Sequence, residues 1–135
     1  MAKEFGQGIS DIPFEAAEDL SSYQYHFVVL NSSGKIALMD AIGDYPIGVL
    51  QNAPESGEAA VVRYAGVSKV VANAAIDEGD FVNAEFNSVT DCGKADATTT
   101  AGTLSCGVCI DASSAEDDLC SVLLTPFGAL PTAKS

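Results

Sequence analysis

The chain has 135 residues and a mass of 13.8 kDa, and 47% of its residues are hydrophobic, so it reads as one folded domain rather than a disordered segment. Against 19 acidic residues it carries 6 basic ones, a formal net charge of -13. That balance excludes a nucleic-acid groove, which needs clustered Lys and Arg, and disfavours an anionic membrane surface. Aromatic residues are scarce and Trp is absent, so the core is built from small aliphatic side chains. A chain this short buries only roughly two-thirds of its unfolded surface, and docking on a larger body would add stability. The acidic residues are spread along the chain, as on a solvated, self-repelling surface, with a basic partner as the sharper alternative.

Residues 1–20 read as an extended N-terminal arm. Phe5, Ile9, Ile12 and Phe14 are isolated apolar residues without a helical or strand period, the pattern of a docking peptide and also of a frayed terminus. The piece from Pro13 to Leu20 has the composition for one helical turn. Met1 to Gly6 lacks the apolar stretch of a secretory leader, and no run is long enough for a membrane span. Synthesis in a reducing cytosol is expected, with the four cysteines as thiols.

A hairpin follows, with Tyr25 to Leu30 as one strand, Asn31-Ser32-Ser33-Gly34 as the turn and Lys35 to Leu38 as the return. Pro46 and the preceding loop argue against a helix there. Ile47 to Leu50 and Ala59 to Val62 flank the polar turn Pro54-Glu55-Ser56-Gly57, and a third apolar run, Val67 to Val71, begins after Gly66. Asp77 to Asp80 reads as a tight turn into Phe81-Val82-Asn83-Ala84. The small, polar stretch 87–103 has room for a hairpin around Asp91-Cys92-Gly93-Lys94. A weaker copy of the earlier Gly-Val unit runs from Gly107 to Leu124, and 126–135, with two prolines, reads as a C-terminal tail. The fold class is all-β: a small barrel or sandwich of short strands over residues 21–125.

The halves align in part. Gly34-Lys35 matches Gly93-Lys94 and Gly48-Val49 matches Gly107-Val108 at one common offset, and Phe27-Val28 matches Phe81-Val82 at a shorter one. An internal duplication over about 22–71 and 76–125 is one reading and chance matching of common residues is the other.

Little here supports catalysis. His26, the one histidine, sits within an apolar strand with no nucleophile tied to it by spacing, and reads as a solvent-facing or subunit-contact residue. Cys106 and Cys109 have CxxC spacing, with Cys92 and Cys120 completing a set of four. In a strand, positions three apart face opposite sides, so zinc is a minor alternative to small apolar filler. The acidic groups Asp77-Glu78-Gly79-Asp80 and Glu116-Asp117-Asp118 lack the spacing of a calcium loop. No enzyme, cofactor or metal is expected.

The stretch Ile47-Gly48-Val49-Leu50-Gln51-Asn52-Ala53-Pro54, then Gly57-Glu58-Ala59-Ala60-Val61, Gly66-Val67-Ser68-Lys69-Val70, Ala74-Ala75-Ile76 and Gly79-Asp80, resembles the capsid decoration (head cement) proteins of tailed phages. The resemblance covers roughly 20–125 and leaves out the cysteines, the stretch 87–103 and both ends. It implies a protein made in the host cytoplasm that coats the exterior of the expanded head as a homotrimer. Binding falls at three-fold and quasi-three-fold sites, where the major capsid protein is the partner, and it braces the shell against packaged DNA. No catalysis is implied. The expected contacts are the arm residues Phe5, Ile9, Ile12 and Phe14 and the edge at Val67, Lys69 and Val71. Two other readings remain: a small cytosolic β-barrel binding a metal or ligand through its cysteines, and another virion part such as tail or fibre.

Overall fold

Alternation of period two shapes the strands. In the computed structural model, which describes residues 10–41, 44–97 and 104–129, it is clearest along β5 (Ala59–Val71), where Ala60, Val62, Ser68 and Val70 are buried between more exposed neighbours. The other strands are β1 (Ser10–Glu15), β2 (Phe27–Leu30), β3 (Ile36–Ala37), β4 (Gly48–Leu50), β6 (Phe81–Ser88), β7 (Asp91–Ala97), β8 (Leu104–Asp111) and β9 (Leu119–Ala129). The described residues contain no helix. The sheet runs β3-β2-β4-β5-β9-β8-β6-β7, with β1 also on β5 and every strand pair antiparallel. The fold is all-β and sandwich-like. The path has two free ends, so the barrel alternative is corrected.

Several local expectations also change. The residues read as two apolar runs around Gly66 form one strand, β5, whose first half pairs with β1 and β4 and whose second half pairs with β9. Residues from Ser10 onward are not a free arm: β1 is zipped to β5 from Ser10 to Glu15, leaving no helical turn at Pro13. The second hairpin turns at Val89-Thr90 rather than around Gly93. The C-terminal stretch does not leave the sheet at residue 126. β9 passes through Pro126 and pairs at Gly128 and Ala129 with β8, beyond the point where its pairing with β5 ends at Leu124. A proline is tolerated where one edge of a strand is unpaired.

The pairing pattern occurs twice. Phe27 and Val28 on β2 oppose Val49 and Gly48 on β4, as Phe81 and Val82 on β6 oppose Val108 and Gly107 on β8. Leu50 opposes Val62, as Cys109 opposes Val122. Leu30 opposes Ile36, as Ala84 opposes Ala95. Ile12 opposes Val62, as Ser68 opposes Val122. Loop contacts follow suit: parallel bridges join Ala16 to Ile36 and Ala72 to Ala95, and the Tyr25 amide donates to Leu50 O at 2.7 Å as the Gly79 amide does to Cys109 O at 2.8 Å. The matched pairs divide the described residues into a first unit, 10–65, and a second, 66–129, rather than at 22–71 and 76–125, and β5 joins the last strand of the first to the first strand of the second.

The cores match position by position. In the first unit Ala16, Leu20, Val28, Ile36, Leu50, Ala60 and Val62 form one buried cluster. Their counterparts Ala72, Ile76, Val82, Ala95, Cys109, Cys120 and Val122 lie in the other, together with Val70, Leu124 and, from the first unit, Phe27 and Val49. The second core is therefore completed by side chains from the outer face of the first unit.

Candidate functional site

The thiols are core material. All four cysteines are free. Burial pushes the Cys92 and Cys106 thiols up to about 11 and Cys120 to about 12, and raises Cys109 as well. Thiols held protonated are neither nucleophiles nor ready metal ligands. Cys109 and Cys120 stand where the first unit has Leu50 and Ala60, which marks them as apolar filler. Among the described residues, no cluster of His, Cys, Asp and Glu side chains has the geometry to hold a metal ion.

His26 is buried rather than solvent-facing. It precedes β2, lies edge-on to the Tyr23 ring with centroids 5.3 Å apart, and has Nδ1 3.2 Å from Gln24 O. Burial lowers its pKa below the ordinary histidine value. The acidic groups are turns. The Asp77 amide donates to the Asp80 carboxylate at 3.1 Å. Lys94 Nζ lies 3.2 Å from Glu116, 2.9 Å from Asp117 and 3.5 Å from Asp91, and hydrogen bonding to Asp117 holds it charged. This cluster ties the β7 start to the β8–β9 loop and leaves no cation site to fill.

The surface candidates separate into two places. Ile12 and Phe14 lie on β1, with Phe14 packed on the first core; Phe5 and Ile9 fall outside the described residues. Val67, Lys69 and Val71 share the outward face of β5 with their partners Leu123, Ser121 and Leu119 on β9. Val67, Leu119 and Leu123 are exposed, and Lys69 Nζ stands 6.0 Å from the Tyr25 ring centre. In the first unit the place of Val67 and Leu123 is taken by Asp11 and Arg63, which form a two-pronged ion pair at 2.8 and 3.1 Å. One face thus carries a self-satisfied ion pair and the other an apolar pair open to solvent. Tyr64 and Ile110, both exposed, were not picked out in the sequence. The signal for them is their place in the repeated pairing, which appears only once the strands are in register.

The class defined by this fold is an open, antiparallel, all-β domain made of two like units, with apolar residues left on its outer faces. The chain is similar in fold to a solved structure, the head fiber gp8.5 N base in bacteriophage phi29, at a TM-score of 0.65 and 15% identity, covering 94% of this chain and 98% of that one. No protein-family model matches the sequence, and no curated protein does.

Proposed function

We propose that this chain is a structural protein of a phage head, a decoration or cement protein. It binds the outside of the expanded shell at three-fold and quasi-three-fold positions as a homotrimer, with the major capsid protein as partner. There it braces the shell against the pressure of packaged DNA. The observation that carries this is the agreement of fold, over nearly the whole of both chains, with a phage head fiber base. The resemblance of the Ile47 to Asp80 stretch to head cement proteins points the same way. The charge of -13 suits an outer surface that seats on basic patches of a shell, and many weak sites on a symmetric shell act together. The same fold likeness leaves a fibre base as the second reading. A ligand barrel built on the cysteines has only protonated thiols, three buried and one half-buried, to work with.

Of the proposed shell contacts, Phe5 and Ile9 precede β1 in the sequence and would add to a coat-protein sheet edge. Val67, Lys69 and Val71 are the proposed subunit or capsid contact edge. The test is co-sedimentation of the full chain with expanded heads and, separately, with unexpanded ones, alongside a variant lacking residues 1–9. The expected result is saturable binding to expanded heads alone, lost in the truncated variant while its β spectrum is retained. Binding to neither particle overturns the proposal, and unchanged binding of the truncated variant overturns the role of Phe5 and Ile9.

A further inference from the structure

The contact between the two units has two sides, and each side has an uncovered counterpart at the other end of the chain. Inside the chain, Phe27 and Val49 of the first unit are buried against the second. Gln51 Nε2 donates to Ser68 Oγ at 2.9 Å. Gly93 is pressed against β2 so tightly that a Cβ there would stand 2.4 Å from Phe27 O.

Register fixes two counterparts and chain position a third. Phe27 and Val49 become Phe81 and Val108 in the second unit, and Gln51, one past Leu50, becomes Ile110, one past Cys109 at an irregularity of the β8–β9 register. Phe81 and Val108 are only half-buried, and Ile110 is 47% exposed. On the opposite side, Ser68 becomes Ile12 by register, and Tyr64, at an irregularity of the β1–β5 register, follows Arg63 as Leu124 follows Leu123. Ser68 is 1% exposed but Ile12 39%, and Leu124 is 8% exposed but Tyr64 40%. Gly34, the counterpart of Gly93, would place a Cβ in open space. The polar pair of half-buried Gln51 and buried Ser68 is replaced at the uncovered positions by two isoleucines, Ile110 and Ile12. Both are exposed in a single chain, and both suit a contact that excludes water.

We propose that these two surfaces join, head to tail, between copies of this chain: the Val108–Ile110 face of one copy seats on the Ile12–Tyr64 face of the next. The second copy is the fitting occupant because the same backbone surfaces already fit each other within one chain. The contact is heterologous, so it closes into a ring where the rotation allows and extends where it does not. It supplies the subunit contact of the homotrimer proposed above and rests on that reading for its setting on a head.

The experiment needs no heads, so its outcome is separate from shell binding. Sedimentation equilibrium is run on the full chain, on Ile12→Asp and on Ile110→Asp, with far-ultraviolet circular dichroism to verify folding; Tyr64→Glu replaces Ile12→Asp if that variant unfolds. The wild-type chain is expected to associate, and each variant alone to be monomeric. An equal mixture of the two is expected to give a dimer and nothing larger, because each variant keeps one working surface and only one pairing remains. A wild-type chain that is monomeric at its solubility limit, variants that associate like wild type, or a mixture that stays monomeric would each overturn the proposal.

Discussion

Glu85 on β6 is a buried carboxyl, 5% exposed, and responds to a change in pH. Both carboxylate oxygens are buried without a well-formed hydrogen bond. Burial raises its pKa to about 7, with the charge of Asp91 adding to the shift and the Lys94 backbone opposing it. A carboxyl raised in the folded state takes up a proton on folding, so its contribution to stability is greatest below the ordinary carboxylate range and falls as pH rises through about 7. His26 has the opposite sign: its lowered pKa keeps it neutral when folded, so its contribution is lost as pH falls below the ordinary histidine range. Glu85→Gln separates the two. From about pH 5 to pH 8 the wild-type chain is expected to lose about 2–3 kcal/mol that the variant does not lose, measured by urea unfolding at each pH. Equal slopes in the two proteins would remove Glu85 as the cause. Lys94→Met is expected to cost about 1 kcal/mol at low salt and less at high salt, since its three partners are exposed carboxylates.

At the scale of strands, the paired glycines explain why two short sequence matches count. A Cβ at Gly48 would stand 2.3 Å from Arg63 O, and one at Gly107 2.4 Å from Leu123 O. Both obstructions are backbone, so neither can move aside cheaply. Gly48→Ala and Gly107→Ala are each expected to destabilise by about 2–4 kcal/mol, and by similar amounts, as read from urea midpoints; a neutral result at either would contradict the equivalence of β4 and β8. Strand centres such as Phe27-Val28 and Val61-Val62 were legible because apolar, β-branched residues stand out between turn residues. Strand ends were not. Gly66 looks like a breaker but lies within β5, and Pro126 looks like a stop but lies where β9 has lost one neighbour. Gly93-Lys94 looks like a turn; Gly93 instead lies on β7 where the chain passes close to Phe27. In each case a tertiary contact decided what local chemistry left open.

For the whole molecule, the all-β class was legible from the turn residues and the lack of a helical period, but closure was not, because local sequence carries no information on whether the two end strands meet. The second half of β5, Val67 to Val71, was legible as a strand from its apolar residues. The Ile12, Tyr64 and Ile110 surfaces were not, since each is one residue whose meaning comes from its counterpart in the other unit. Shell binding driven partly by a charge of -13 is expected to weaken as salt is raised, which a salt series in the sedimentation assay checks. The most direct test of shell decoration is electron cryomicroscopy of expanded heads saturated with the full chain. Added density is expected at three-fold and quasi-three-fold positions on the outer surface, with neighbouring copies meeting through the Ile12 and Ile110 faces. Density confined to a tail or fibre, or none on the shell, would contradict it.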